Sequence, residues 1–392
     1  MKRTEWLQET LRMRFEEAYG EWQERSLTQE EAARILGVSD RTFRRYVDRY
    51  EESGLEGLVD KRLNQISHRR APIDEIMALE DLYRSRYEGW NAKHFYSWYK
   101  RQGGTRSYTW VKIRLQEARL RPKASKKGAH RKRRERSALP GMILHQDGSS
   151  HEWAPGQKWD LIVTMDDANN EHYSMFFCDE EGTASSFRGV KETIEKKGLF
   201  CSFYSDRGSH YWHTPEAGGK VDKTNLTQFG RAMKQLGITM IPAYSPEARG
   251  RSERMFSTHQ ERLPKELALM GITKMAEANR YLQECYMPAF NAEFKQQALE
   301  EGTAFVPYIG PAIEEILCEH HDRTVGHDNC VRFENLALQI PPDRYRCNYI
   351  RAMVRVHRYL DGTLAIFHGP RKLATYDQAG KVIQPSALKA AA

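Results

Sequence analysis

Apolar positions along this 392-residue chain change period twice. Residues 28–50, TQEEAARILGVSDRTFRRYVDRY, place Ala32, Ala33, Ile35 and Leu36, then Phe43, Tyr46 and Val47, at helical spacing. Gly37 stands between the two runs, where a left-handed residue turns the chain. Ser39 or Asp40 can cap the second helix by accepting its unpaired amide hydrogens. Two short helices about a glycine turn predict a helix-turn-helix, with Arg41, Thr42, Arg44 and Arg45 on or near the exposed face of the second helix. A solvated helical hairpin is the weaker alternative. Residues 72–120 repeat the pattern less clearly: two helices, a break at Gly103-Gly104, and a third helix. In that third helix Trp110, Ile113 and Leu115 are expected to face inward, leaving Arg106, Lys112 and Arg114 free for DNA. Trp90, Phe95, Trp98 and Trp110 fit a small core better than base stacking.

From residue 139 short strands take over. Met142 to Asp147 is an apolar run ending in a carboxylate. Trp159–Met165 and His172–Cys178 follow, separated by a turn at Asp167-Ala168-Asn169-Asn170. Thr183–Lys197 reads as a helix with Phe187, Val190 and Ile194 inward. Leu199–Tyr204 is a fourth strand and leads into Asp206. A helix near Asn225–Leu236, a strand at Ile238–Ile241 and a long helix from about Arg249 complete the series. Three strands, then helix, strand, helix, strand and helix, is the order of a ribonuclease-H-like core. The tail alternates as strands at Cys330–Phe333, Ala337–Ile340, Ala352–Tyr359 and Thr363–His368, with a hairpin turn at Asp361-Gly362. A small β-barrel is expected there. The fold class is thus multidomain α+β. Its parts are helix-turn-helix units at 1–62 and 63–120, a basic linker at 121–138, an α/β core at 139–308 and the barrel at 309–392.

Charge sharpens this division. The chain carries a net +8, yet residues 1–136 hold 32 Lys and Arg against 21 Asp and Glu, while the remainder holds 29 against 32. A basic front half on a mildly acidic back half points to polyanion binding at the front. Residues 121–136, RPKASKKGAHRKRRER, have nine basic residues against one Glu and no apolar period. They read as a tether that tracks phosphates, with Lys126, Lys127, Arg131, Lys132, Arg133 and Arg134 as candidate contacts.

No apolar run approaches the roughly 18–20 residues of a membrane span, and the N-terminus lacks the apolar stretch of a secretory signal. A cytoplasmic, nucleoid-associated protein is expected, with no membrane partner. The six cysteines are scattered, without a C-x-x-C pair. They fit reduced thiols better than disulfides or a zinc site, and His320-His321 fits loop histidines. There is no nucleoside-triphosphate loop and no G-x-S-x-G elbow. No nucleotide cofactor is expected.

Asp147, Asp206 and Glu253 are the carboxylates that carry chemistry. The first two close strands and the third sits early in a later helix, and ligands of such sheets gather at strand ends and helix starts. Phosphodiester cleavage at neutral pH needs an activated water and a stabilised leaving oxygen, which two Mg2+ ions about 3.5–4 Å apart supply. Hard cations take oxygen ligands. Asp147 would be shared, with Asp206 and Glu253 each holding one ion. Glu247 is the weaker alternative to Glu253, because it precedes the expected helix. Asp166 and Asp167 are assigned to shaping a turn; Asp160, Asp179 and Glu152 are assigned to the surface.

These segments resemble a known family. HQDGSSHEW around Asp147, YSDRGSHYW around Asp206 and SPEARGRSERMF around Glu253 are similar to DDE transposases with a retroviral-integrase-type core, most closely insertion-sequence transposases grouped as ISNCY. Pro246, Gly250 and Glu253 match the spacing of the integrase motif. The resemblance implies Mg2+-dependent cleavage at the terminal inverted repeats of a mobile element, with Mn2+ substituting, and joining of the 3′-OH ends to double-stranded target DNA. It also implies a homo-oligomer on paired ends. The long stretch between Asp206 and Glu253 departs from retroviral cores: residues 210–225 look like an inserted loop, which leaves the role of Tyr211 and Trp212 open.

Overall fold

The computed structural model describes residues 3–59, 71–123, 135–216, 219–244 and 246–383, with the backbone alone for 3–7 and 246–249. The chain divides into two compact units, 1–83 and 84–392.

The first unit is helical: α1 (Arg3–Gln23), α2 (Gln29–Leu36) and α3 (Asp40–Ser53), with α4 (Ile73–Arg86) crossing the division. α2 begins with a capping box. Thr28 accepts from the Glu31 amide, and the Glu31 side chain accepts from the Thr28 amide. Gly37 closes α2 at φ 68°, and Ser39 caps α3 by accepting from the Thr42 amide. Phe15 and Ala18 of α1, Ala32, Ala33, Phe43, Val47 and Leu58 form one buried cluster. α1 is a helix that the apolar pattern did not mark; Phe15 and Ala18 are its only fully buried residues among those whose side chains are described. Ile35 departs from the expected inward set and is 53% exposed. An eight-residue helix presents only one narrow stripe, and Ala32 and Ala33 occupy it.

The second unit opens with α5 (Ala92–Arg101) and α6 (Tyr108–Glu117). In α6, Val111 and Leu115 are buried while Ile113 is exposed. Leu115 faces inward as expected, whereas Val111, and neither Trp110 nor Ile113, is its buried companion. Trp90 and Phe95 are buried as expected, Trp90 stacking on His94 at 3.9 Å, whereas Trp98 and Trp110 are only half-buried.

A five-stranded mixed sheet follows, from β1 (Ile143–Ala154), β2 (Gln157–Asp166), β3 (His172–Cys178), β4 (Ser202–Ser205) and β5 (Thr239–Pro242), in the order β3-β2-β1-β4-β5. β1, β2 and β3 are antiparallel neighbours, whereas β4 and β5 run parallel to β1. α7 (Thr183–Lys197) and α8 (Gln228–Gln235) cover one face through Phe187, Val190, Ile194, Phe229 and Met233. α9 (Pro246–Leu269), α10 (Met275–Tyr281) and α11 (Met287–Phe294) cover the other through Phe256, Leu263, Leu267, Tyr281 and Phe290. The expected order of elements is present.

α9 packs by way of a buried polar chain. The Tyr286 hydroxyl donates to His259 Nδ1 (2.9 Å), His259 Nε2 meets His172 Nε2 (3.1 Å), and His172 Nδ1 donates to the Asn170 carbonyl (3.0 Å). With Nδ1 of His172 as donor, its Nε2 must accept, so both imidazoles are neutral. Burial lowers His172 to about 4 and His259 well below its ordinary value. Depressed folded-state values mean that the unfolded chain binds more protons below about pH 6.5. Stability should therefore fall as pH drops from 6.5 toward 4. Thermal unfolding should show a lower midpoint at pH 5 than at pH 7, and His259→Phe should flatten the slope; an equal slope would exclude this pair as its source.

The tail holds β6 (Glu319–Thr324), β7 (Cys330–Phe333), β8 (Leu336–Gln339), β9 (Met353–Arg358), β10 (Leu364–His368), β11 (Arg371–Tyr376) and β12 (Val382–Ile383). The expected barrel is corrected here. Five strands form an open antiparallel sheet, β12-β11-β10-β9-β6, and β7 pairs with β8 alone. Among the described residues its outer strands do not meet. Among the described residues β12 is two residues long, and the β7–β8 hairpin, which lies between β6 and β9 in sequence, pairs with neither outer strand.

Candidate active site and DNA-reading helix

β1 does not end at Asp147, as its sequence suggested, but continues to Ala154 paired with β2, Asp147 facing Val163. Its pairing with β4 does stop there: the last parallel partners are His145 and Tyr204. Two residues beyond that pair, on strands running the same way, stand Asp147 and Asp206. The register, rather than a strand end, brings the first two acids together. Both are half-buried and share a small cleft lined by His145, Gln146, Tyr204, Ser205 and Ser252.

Each acid is held by a nearby amide. Gly148 donates to Asp147 Oδ1 (3.1 Å) and Gly208 to Asp206 Oδ1 (2.9 Å). The residues left open in the inserted segment prove to be the floor. Trp212 donates to Ser205 Oγ (3.0 Å), and the Tyr211 hydroxyl donates to Gln146 Oε1 (3.1 Å) while accepting from Ser186. Gln146 Nε2 in turn donates to Thr164 Oγ1 (2.8 Å), and a side chain on Gly189 would strike Gln146 at 2.0 Å. A bridge between His213 and Asp222 closes the segment into a loop.

Glu253 lies in the second turn of α9 and is exposed; its neighbour Ser252 is buried and lines the cleft. α9 starts at Pro246, three residues before the expected point, so Glu247 belongs to the helix and not to the loop before it. Pro suits this first helical position because it lacks the amide hydrogen that would go unpaired.

A carboxylate that sequence analysis passed over is also present. A side chain on Gly148 would meet Glu181 Oε2 at 2.2 Å, so Glu181 rests against the backbone beside Asp147. Burial first, then the charges of Glu181, Asp147 and Asp206, push the Tyr211 phenol well above its usual value. Glu181 also approaches His210 Nε2 at 3.7 Å, and its amide donates to Asp160 (2.8 Å). Asp160 thus anchors the Glu181 turn and is not an ordinary surface charge. The sequence signal was Glu181-Gly182 directly before α7, a helix start of the kind already sought.

Asp166 and Asp167 do more than shape a turn. Both are fully buried. Asp166 accepts from the Ala168 and Gly141 amides (2.8 Å each) and from Tyr173 (3.0 Å). Asp167 accepts from His145 Nε2 (2.8 Å), from the Ser137 amide (2.8 Å) and from Arg251. Burial alone would raise Asp167, but the His145 bond and charge, the Ser137 amide and Arg251 together hold it well below the usual carboxylate range. Asp167 therefore joins the strand of Asp147 to the turn of α9 that carries Ser252 and Glu253. Arg136 adds a further tie, donating to Asn170 Oδ1 (2.9 Å) and the Ala168 carbonyl (3.2 Å).

The two other groups of candidates divide. Arg41, Arg44 and Arg45 are exposed on α3 and Thr42 is half-buried against Ser39; Arg44 pairs with Asp40 at 3.4 Å. In the second helical region Arg106 stacks on Trp110 (5.3 Å) and Arg114 pairs with Glu117 (2.7 Å), so neither is the unengaged cation expected; Lys112 is half-buried. Lys126, Lys127, Arg131, Lys132, Arg133 and Arg134 fall outside the described residues. No helix among the described residues is long and apolar enough to cross a membrane.

Residues 20–72 match the family of winged helix-turn helix domains. Over 351 residues, the chain is 28% identical to a Sinorhizobium fredii protein provisionally named as the transposase y4bF, covering 87% of this chain and 75% of that one. It is likewise 28% identical over 203 residues to the transposase for insertion sequence IS1202 of Streptococcus pneumoniae, covering 52% of this chain and 43% of that protein. This chain is a homologue of insertion-sequence transposases. Among solved structures, the HTLV-2 integrase catalytic core in complex with magnesium is 16% identical, covering 38% of this transposase homologue and 87% of that chain at a TM-score of 0.30. A chain of the simian T-cell lymphotropic virus intasome, solved in complex with PP2A regulatory subunit B56 gamma, is 12% identical at 0.32, covering 72% and 93%. Scores this low carry no weight for the fold, which rests on the strand order above.

Proposed function

We propose that this chain is a DNA transposase that binds the terminal inverted repeats of its element, cleaves the ends by two-metal-ion hydrolysis and joins the 3′-OH ends to target DNA. One observation carries the reading: parallel strands deliver Asp147 and Asp206 side by side into a cleft whose far wall is the turn of α9 bearing Glu253. The donor set suits a hard divalent cation, since the two acids in the cleft are carboxylates and no cysteine lines it. Asp147, Asp206 and Glu253 would hold Mg2+, or Mn2+ in its place, which when bound supplies a deprotonated water and charge neutralisation at the scissile phosphate. The protein's own contribution is placement. The Gly148 and Gly208 amides orient the two aspartates, and Tyr211, Trp212 and Gln146 keep the floor rigid beneath them. Arg251, through Asp167 and His145, fixes α9 against β1. Glu181, beside Asp147 and near His210, is a neighbouring acid and not a member of the triad.

α3 is the DNA-reading helix in this proposal. Its exposed arginines would enter the major groove while α2 crosses the backbone. Arg41→Ala or Arg45→Ala should weaken binding of an end-containing duplex. A phosphate contact would lower affinity alike on all sequences and reduce the salt slope by about one, whereas a base contact would cost about 1–3 kcal/mol on the cognate end only. Gel-shift titrations at several salt concentrations separate the two, and unchanged affinity in the triple Arg41/Arg44/Arg45→Ala variant would remove α3 from the interface. The whole activity is tested with the purified chain, labelled element ends and Mg2+. End nicking followed by joining to a plasmid is expected. Binding without nicking would indicate a regulator, and nicking without joining a nuclease. A homo-oligomer on paired ends and binding of target DNA belong to the same proposal.

A further inference from the structure

The tail holds a second group of metal-ligating side chains, of a different chemical kind from the acids. Cys318 lies two residues before His320, and β6 pairs with β9 so that His320 faces His357 directly. Cys318 stands in the bend just before β6. The three ligand atoms, one from each residue, all lie within 4.8 Å of one another. Cys318 is fully buried and His357 is 6% exposed. The imidazoles stack at 3.9 Å with planes 12° apart, so one ring must turn about its side-chain bonds for both in-plane lone pairs to reach one ion.

We propose that Cys318, His320 and His357 bind a divalent transition-metal ion, Zn2+ by ligand type, at the root of the C-terminal sheet. Two orphaned atoms point to a ligand. His320 Nδ1 and His357 Nδ1 are buried and have no hydrogen-bond partner, although buried ring nitrogens are ordinarily paired. His320 Nε2 donates to the Glu315 carbonyl (2.9 Å), which fixes the tautomer and leaves Nδ1 with its lone pair. That arrangement is the usual support for a metal-bound histidine. Burial keeps both rings neutral, lowering His320 to about 4 and His357 to about 3, so neither needs to lose a proton to bind. The Cys318 thiol is the member that must ionise. Burial pushes it up to about 12, against the pull of Arg231. On binding, the S–H bond breaks, the proton passes to solvent and the thiolate pair forms the bond to the metal. One sulfur and two nitrogens suit Zn2+ with a fourth position open, and do not suit Mg2+.

The site would stiffen the segment through which the C-terminal sheet meets the catalytic core. The segment carrying it already bonds to α8, through Gln228 to the His320 backbone (2.8 and 2.9 Å) and through Arg231 to the Cys318 carbonyl (2.6 Å). The sequence assigned no zinc site because its ligands are split between two strands joined only by pairing.

Co2+ titration of the untagged, reduced full chain tests the proposal. One equivalent should develop a sulfur-to-cobalt charge-transfer band that Zn2+ displaces and a large excess of Mg2+ does not. Cys318→Ser should abolish the band, and His357→Ala should weaken Co2+ binding at least about tenfold. Cys285→Ser, at an exposed thiol, and Asp147→Asn, at the acidic site, should leave it intact. At a hundredfold excess over Kd, Zn2+ should raise the unfolding midpoint on the order of 5 °C. No band in the wild-type chain at saturating Co2+, a result that needs no variant to fold, would overturn the site. Survival of the band in the Cys318→Ser protein would also do so.

Discussion

Asp147→Asn and Asp206→Asn should each lower strand cleavage and joining by on the order of 10³-fold or more, because each removes a ligand charge worth several kcal/mol at the transition state. Binding of the element ends should be unchanged, since the arginines proposed to make that contact lie on α3. Both variants should fold, as the two side chains are half-buried and the substitution preserves their shape. Glu253→Gln should give a loss of the same order, although Glu253 stands exposed at the margin of the cleft. Glu181→Gln should cost less, because Glu181 rests against the Gly148 backbone and lies outside the proposed ligand set. Gel assays of cleavage on a labelled end, with binding measured in parallel, rank the four. Wild-type cleavage by either aspartate variant would remove that residue from the chemistry. A larger loss for Glu181→Gln than for Glu253→Gln would exchange their roles.

Asp167→Ala should be the most damaging single change to stability. It strips the partner from buried His145 and from Arg251, and leaves the Ser137 amide unpaired. Breaking a buried pair in this way costs about 3–5 kcal/mol, which corresponds to a midpoint lower by on the order of 10 °C. Asp167→Asn keeps the size and one acceptor oxygen and should cost less. The sign of the pH dependence follows from the depressed carboxyl. Its contribution is complete above the ordinary aspartate value near 4 and is lost as pH falls through its lower folded-state value. The gap between wild type and Asp167→Asn should therefore be widest at neutral pH and should narrow in strong acid. Denaturant titrations at several pH values measure it, and an Asp167→Ala protein as stable as wild type would refute the network. Cleavage should fall as well, since the same link ties the turn of α9 that carries Glu253 to the strand of Asp147.

Local chemistry was enough for much of this protein. Thr28, Gly37 and Ser39 mark the turns of the first helical unit because caps and left-handed residues act within a few positions. The apolar run at 172–178 and the period at 183–197 gave their elements for the same reason, and the acids at 147, 206 and 253 stood out by their flanking motifs. Ile35 and Ile113 were misplaced because a short helix has too few turns for its pattern to say which stripe meets a neighbour. What the tertiary structure alone decided is register and partnership. Asp147 meets Asp206 because parallel pairing stops at His145 and Tyr204, although β1 itself runs on. Asp167 and Asp160 looked like turn and surface acids until their distant partners were seen, and Glu181 was passed over until its neighbours were. The tail stayed open because strand closure depends on which edges meet. His320 and His357 are neighbours only across a strand pair. Periodicity is a property of adjacent residues, whereas burial and charge pairing depend on groups that folding brings from far along the chain.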